Sequence, residues 1–557
     1  MRSFPSSESD PLGRAKTAEP VYTAIHPRLD LIIVAGIFAA AAALFTSLPT
    51  RQYLAVDGAI RCLFVYWHGR PMAGGNNHLL YFVDVYFWTR ALALAGVKAK
   101  SPFAFVRLTQ LMNALAASGC VALFWILSRR ATGSLAVSIG AALAYAFSRS
   151  FVLHATSSAE PMLGLFWSFL SVFVVTVGLA RSSRMLIIAA GALLLLAMAT
   201  YESMVLIGPA ELVLICCWGD RRRFLPWFLA GCLSGALIIY PLTYAMSGTT
   251  SSGAIFQRFF QMGGGEHVYG GIRPAKVLNL PMGLANSLVP SLPPGYAGLR
   301  WLFFTNGFTQ STLLALIAAI AGIAWVVWTL CRLVVWNKLQ HRQRLVLGCC
   351  AVALVFDAFP LIFWDPLYDK LWLQPIAVII LAWSVIFDAW LRNRRPRPLR
   401  VLPEALLLAI VVVVGLAGAI EAHESATPCL DGAQELATML HPNDLLIRSW
   451  DPISLLYSAF WGRGARTFDI PTVASTSGPQ TIRLLHDEIE RTRGDVYSVG
   501  VLDMPEDVWT PFLGDKIHFP YDSLDPIRAC AKRVTSLSCG DHDEILWKIP
   551  DGCRQKF

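Results

Sequence analysis

About eleven stretches of this chain are close to twenty residues long and nearly free of charge: 31–49, 105–128, 134–154, 161–180, 184–200, 203–218, 225–246, 308–332, 344–363, 371–390 and 402–420. A helix of that length crosses the hydrocarbon core of a bilayer. In hydrocarbon every backbone N–H and C=O must be satisfied within the segment, which restricts the fold to a bundle of helices. Only 15% of the 557 residues are charged, where a water-soluble domain carries about a quarter. The fold class predicted is a polytopic α-helical membrane protein with about 11 transmembrane helices and a small C-terminal extracytoplasmic α/β domain.

Positive charge orients such a bundle. Arg129 and Arg130 close the second run, and Arg181 and Arg184 separate the fourth and fifth. Arg221–Arg223 follow the sixth, Lys338, Arg342 and Arg344 the eighth, and Arg392, Arg394, Arg395, Arg397 and Arg400 the tenth. Every cluster follows an even-numbered run. The N-terminus, a tail of residues 1–30 with no clean cleavage site after the first run, is therefore cytoplasmic. An odd number of spans puts the C-terminus outside. The net charge of +9 belongs to these loops beside lipid and is no footprint of nucleic acid. Residues 79–97 carry Asp84 and Arg90; counting them as a span breaks the alternation, so they are predicted to form a helix in the outer interface.

The membrane part is residues 31–420, with outer loops at 50–104 and 247–306. Residues 421–557 change character, with 13 Lys/Arg against 21 Asp/Glu. Within them, Asp444-Leu-Leu-Ile-Arg and Asp495-Val-Tyr-Ser-Val-Gly-Val read as buried strands. Thr481 to Arg491 reads as an amphipathic helix with Ile482, Leu485 and Ile489 on one face. Of the 12 cysteines, eight lie in or next to apolar runs, where a thiol is a small hydrophobe. The other four, Cys429, Cys530, Cys539 and Cys553, fall in the segment placed outside. They predict two disulfides, with three pairings open; none has zinc-ligand spacing. Glycines 263–265 and the Pro/Gly-rich run to Tyr296 make 247–306 a mobile loop, a gate or a plain connector. A P-loop is excluded, since no Gly-Lys-Ser/Thr follows and no strand precedes.

Ionisable groups at membrane depth cost roughly 2.5–3.5 kcal/mol by insertion scales, so those at the outer ends of the runs carry information. They are Asp57, Arg61 and His78 in the first loop, Glu160 before Pro161, Glu202 after Tyr201, and Asp365, Asp369 and Lys370 in FWDPLYDKLWLQP. All converge on one face if the topology is right. Each has a plainer role. Glu160 and Glu202 suit helix starts, Asp365-Pro366 a turn, Lys370 a head-group contact and His78 an interfacial ring. Asp57 has no helix to cap and no basic neighbour before Arg61.

Four segments resemble type C glycosyltransferases, including the protein mannosyltransferase-like enzymes, across most of the chain. An early acid, Asp57, is followed by Asn76-Asn77-His78-Leu79-Leu80-Tyr81, without the family's prolines. RLTQLMNALAASGCVALFWIL is similar to the Arg/Asn-bearing helix after the first loop. ATSSAEPMLGLFW is similar to an Ala-x-x-x-Glu-Pro segment. ATYESMVLIGPAEL is similar to a His-x-x-x-Leu-x-x-Pro segment, with Glu202 in the place of the histidine. The resemblance implies a multi-pass enzyme of a bacterial cell (inner) membrane. Such an enzyme takes a sugar from a polyprenyl-phosphate carrier and gives it to a glycan, lipid or protein acceptor. The attacking hydroxyl must lose a proton, and the departing phosphate must meet a cation, an imidazolium or a divalent metal. Asp57 suits the base, with Glu160 and Glu202 as further catalytic carboxylates. Arg61, His78, Asp365 and Lys370 suit binding of substrate and phosphate. The rivals are a lipid-linked sugar flippase or transporter, which would use acids inside the bundle such as Asp357, Asp388 and Glu404, and a non-catalytic cell-envelope scaffold.

Overall fold

The computed structural model describes residues 27–51, 53, 58–71, 78–218, 222–246, 274–288, 339–363, 366, 368–393, 398–425, 427, 429–449, 451–462, 464–477, 480–506, 519–540 and 542–554. The run at 308–332, the residues Asp57 and Asp365, and the glycines 263–265 lie outside them.

The membrane part comprises α1 (Pro27–Ser47), α2 (Gly58–His68), α3 (Leu79–Leu94), α4 (Pro102–Thr132), α5 (Leu135–Ala146), α6 (Arg149–Ala155), α7 (Pro161–Arg181), α8 (Arg184–Thr200), α9 (Gly208–Cys217), α10 (Leu225–Met246), α11 (Pro274–Leu288), α12 (His341–Phe363), α13 (Leu373–Asn393) and α14 (Pro398–Glu424). Among the described residues seven helices are long and apolar enough to cross a membrane. They become eight if α5 and α6, bent by 66°, are one span. The count of eleven is therefore not established, although ten of the eleven runs coincide with helices. Three of those ten depart from a simple span. The run at 134–154 is broken where Ser148 turns its hydroxyl back onto the Tyr145 carbonyl, 2.8 Å away. That local bond competes with the helix ladder. The run at 184–200 is a helix of only 17 residues. The run at 203–218 opens as a 3₁₀ turn, Glu202–Ile207, before α9, whose first turn holds Pro209.

Helix α4, 31 residues long, is the central post. Phe124 and Trp125 on it pack with Tyr145, Phe151 and Phe169 in one buried cluster. The outer helices show the opposite character. Leu31, Leu233 and Val413 are 61–69% exposed, as side chains are when hydrocarbon rather than water is the solvent. The first loop is not extended chain: α2 and α3 fill it. Part of the second loop is ordered too, since α11 packs on the 366–372 turn. A Cβ on Gly283 would meet the Pro366 carbonyl at 1.8 Å.

Beyond α14 the chain forms an α/β unit with α15 (Leu430–Met439), β1 (Leu445–Arg448), α16 (Pro452–Trp461), β2 (Arg466–Asp469), α17 (Ile470–Ser477), α18 (Thr481–Arg491), β3 (Val496–Val499), β4 (Lys532–Cys539) and β5 (His542–Ile549). The sheet order is β2-β1-β3-β5-β4. β1 runs parallel to β2 and β3, and β5 antiparallel to β3 and β4. Both expected strands and the expected helix are present, with Leu485 and Ile489 of α18 buried and Ile482 packed beside them. Two disulfides close it, Cys429–Cys539 and Cys530–Cys553.

This unit sits on the first loop. Trp67 of α2 donates its indole N–H to the Ala459 carbonyl at 2.7 Å. Phe103 stacks on Phe460 with centroids 4.4 Å apart. Cys62, Leu63, Leu456 and Tyr457 share one buried cluster. The loop after the first span and the unit after the last therefore share a face, which requires an even number of crossings between them, as the arginine parity does. At the other end Arg392 of α13 donates to the Thr132 carbonyl, and Arg130 of α4 to Thr176 of α7 at 3.2 Å. The arginine-rich end is expected to face the cytoplasm. A reporter that works only outside the cytoplasm, fused after Phe557, should be active; activity there of a cytoplasm-only reporter would reverse the assignment. Peptide mapping of the unreduced protein should recover the 429–539 and 530–553 pairs.

Candidate active site

Glu160 stands just before α7, at the end of the bundle that carries the C-terminal unit. Three neighbouring groups hold the segment leading to it. Asn113 of α4 donates to the carbonyls of Ser157 and Ala159 at 3.0 and 2.5 Å. The hydroxyl of Tyr81 of α3 donates to the carbonyl of Ser158 between them. Gly58, the first residue of α2, lies so close that a Cβ there would meet the Ser158 oxygen at 1.9 Å. The segment is thus fixed by backbone contacts from three helices.

Glu160 is fully buried, and its carboxylate makes no capping bond to α7. Oε1 instead meets Arg61 Nη1 at 3.0 Å, Lys370 Nζ at 3.3 Å and His78 Nε2 at 3.6 Å. Burial alone pushes this carboxyl up. The charges of Arg61 and Lys370 more than offset it and hold it below the ordinary carboxylate range, so Glu160 is ionised at neutral pH. Its Oε2 has no hydrogen-bond partner among the described residues.

Glu202 is the second carboxylate. It caps nothing on α9. Oε1 accepts the His78 backbone N–H at 2.6 Å, and Oε2 lies 2.9 Å from His78 Nδ1. His78 adopts the left-handed conformation, φ 60°, which costs a non-glycine residue of order 1–3 kcal/mol. The two contacts to Glu202 and a stacked Tyr201 ring, centroids 4.8 Å apart, keep it there. Burial pushes Glu202 up to about 7, although its side chain keeps 30% of its surface exposed. Water reaching that surface limits the push. Two carboxylates in one site, one ionised and one poised near neutrality, are the arrangement that separates a fixed charge from a proton carrier.

Lys370 follows Asp369, whose Oδ1 lies 3.4 Å from His154 Nε2 on α6, and its ammonium lies over the Tyr368 ring. Arg149 of α6 donates to Asn286 of α11 at 2.7 Å.

Arg61, His78, Glu160, Glu202 and Lys370 are thus brought together from five separate chain segments. Asp57 and Asp365 lie outside the described residues, though their neighbours Gly58 and Pro366 border the site. One expectation fails: a helix begins at Gly58, so Asp57 does stand before a helix start. The periodicity that marks α2, Ala59, Cys62, Leu63 and Val65 on its buried face, was there to be read. Tyr81 and Asn113, inside segments singled out for their family likeness, hold the Glu160 backbone, a role that spacing does not signal. Among the described residues the one trio of metal-donor groups close enough to share an ion is His486, Asp487 and Glu490. It lies on α18, outside this site, where the cations are Arg61 and Lys370.

No family model and no curated protein matches the chain. Among solved structures it is similar to ArnT from Cupriavidus metallidurans bound to undecaprenyl phosphate, with 14% identity, a TM-score of 0.47, and coverage of 96% of this chain and 99% of that one. It is similar to ArnT from the same organism in the apo state, with 15% identity, a TM-score of 0.48, and coverage of 94% and 98%. The roles given to individual residues rest on this chain's own geometry.

Glu160→Gln should leave Arg61 and Lys370 facing each other without their anion. Loss of one partner of a buried pair costs about 3–5 kcal/mol, so the variant should unfold at distinctly lower temperature in detergent. Gly58→Ala should lose stability too, through the Ser158 clash alone; wild-type melting in both would contradict this account of the site.

Proposed function

We propose that this chain is an integral membrane glycosyltransferase that moves a sugar from a polyprenyl-phosphate carrier to an acceptor on the extracytoplasmic face. The observation that carries this is the pair of cations gathered on Glu160. Arg61 and Lys370 converge on one oxygen of the buried Glu160 carboxylate, beside Glu202 and His78, which face each other at 2.9 Å. Two cations held side by side by one carboxylate are a pair that a phosphate can bridge, and the carboxylate keeps both in position without a bound substrate.

In the reaction the acceptor hydroxyl attacks the anomeric carbon. The bond from that carbon to the phosphate oxygen breaks, and its electron pair stays on the phosphate. Arg61 and Lys370 meet the charge that develops there. The hydroxyl proton passes to a carboxylate within hydrogen-bond reach. Asp57, directly before the anchored Gly58, is assigned this role, and Asp365, directly before Pro366, a part in binding substrate. Glu202, through His78, is assigned the relay of the proton away from the site. A transporter would instead work through acids inside the bundle. Asp357 and Glu211 are buried there, each bonded to a neutral partner, Gln374 at 2.8 Å and Ser171 at 2.7 Å.

Turnover of a purified polyprenyl-phosphate-linked sugar tests the proposal. Asp57→Asn keeps the size and loses the proton acceptor; turnover should fall by about 10²–10⁴-fold while donor binding persists. His78→Ala should weaken donor binding and turnover together. Turnover near wild type in Asp57→Asn would favour the flippase or scaffold.

Glu202 adds a pH dependence. Its folded value of about 7 lies above the ordinary 4.5, so the folded chain binds the proton more tightly than the unfolded one. The penalty for ionising it in the fold is absent below about pH 4.5, grows as pH rises, and is complete above about 7. Glu202→Gln should therefore gain stability relative to wild type across that window. It should also lose the limb of the pH–rate profile near 7; a profile unchanged there would remove Glu202 from the proton path.

A further inference from the structure

At the arginine-rich end, opposite the Glu160 cluster, a half-open cavity of about 140 Å³ lies between α4, α7, α9, α12 and α13. Its walls are almost wholly apolar, with Leu214 and Val346 among them, and its charged lining groups are Arg130, Arg342 and Glu211. An engineered apolar cavity of about 150 Å³ takes one benzene, so this space holds a stretch of hydrocarbon chain rather than a whole lipid.

The charges are ordered. Arg130 is held by Thr176 of α7 at 3.2 Å and lies over the Phe173 ring, 4.7 Å from its centroid. Glu211 is 1% exposed and held by Ser171 of the same helix at 2.7 Å. Its Oε2 has no partner among the described residues. Thr176 and Ser171 are five residues apart, or about 7.5 Å along the helix. The arginine therefore lies toward the basic end of the bundle and the carboxyl deeper inside. Among the charged lining groups only the arginines can meet a phosphate, and the deeper walls are apolar. That order sets which end of an amphiphile enters.

We infer that this cavity binds an anionic phospholipid of the leaflet at the arginine-rich end, with its phosphate on Arg130 and Arg342 and part of one acyl chain inside, past Trp218. The site is separate from the proposed sugar-transfer site, lies at the other end of the same helices, and does not depend on that activity.

The test uses the full chain in lipid nanodiscs of phosphatidylcholine with and without phosphatidylglycerol, followed by native mass spectrometry of the lipid retained. Wild type should keep phosphatidylglycerol at least tenfold over phosphatidylcholine. Ala210→Phe, which fills the cavity and keeps both arginines, should lose that preference, as should the Arg130→Gln/Arg342→Gln pair. Glycerol phosphate, the head group without chains, should not displace the lipid. Retention unchanged in Ala210→Phe, equal retention of the two lipids by wild type, or displacement by glycerol phosphate would each overturn the proposal. Should the variants not fold, phosphatidylglycerol with brominated chains decides: it should quench wild-type tryptophan fluorescence more than Trp218→Phe fluorescence, and equal quenching counts against the site.

Discussion

The constraint on which the outer end of this molecule depends is one carboxylate, Glu160, withdrawn from water with two cations around it. An isolated ion at that depth costs several kcal/mol, so its burial is tolerable only because Arg61 and Lys370 reach it from distant parts of the chain. The dependence runs both ways. Arg61 and Lys370 in turn meet on the same oxygen of that carboxylate. The stability gained from such a triad is small, because desolvation offsets most of the attraction. Its consequence is geometric: it brings α2, the start of α7 and the turn before α13 to one point.

Much of the surrounding fold serves to keep those three segments in register. Arg61 is carried by α2, and α2 is held from above by α16, through Trp67 and the Ala459 carbonyl. The C-terminal unit is tied in turn to the end of the last helix by the Cys429–Cys539 bridge. That unit therefore acts on the site through the helix beneath it. His78 shows the same economy at smaller scale. Its left-handed backbone presents both the main-chain N–H and the ring to a single carboxylate, Glu202.

The bundle was legible because hydrophobic length is a one-dimensional signal: α1, α4, α7, α10, α12, α13 and α14 fall where apolar runs lie. The convergence of Arg61, His78, Glu160, Glu202 and Lys370 was legible for a related reason, since charge parity assigns each loop to a face and ionisable residues at a face have few places to go. What stayed hidden is local or long-range in a way that spacing does not record. The break between α5 and α6 depends on one serine hydroxyl and on Gly415, whose missing Cβ lets α14 cross the Phe147 carbonyl. The broken start of α9 depends on Glu202 being occupied with His78 rather than with a helix end. Helix α2 has a readable apolar face, but its eleven residues with Arg61 inside do not show what buries that face, since α16 lies far away in the chain.

The two ends of the bundle solve opposite electrostatic problems with the same helices. At the outer end α7 begins beside an anion whose negative charge is stabilised by the positive helix terminus as well as by two cations. At the other end α4 and α7 finish in arginines, which complement the negative termini of those helices. A lipid phosphate at either end then meets cations, but the surroundings differ. At Glu160 the cations, Lys370 buried and Arg61 half-buried, are paired with a carboxylate, which suits the charge that develops on a phosphate in the proposed transfer. At Arg130 the guanidinium borders an apolar cavity, suited to a charge that stays. The two proposed phosphate sites thus lie at opposite ends of the same helices and do not compete.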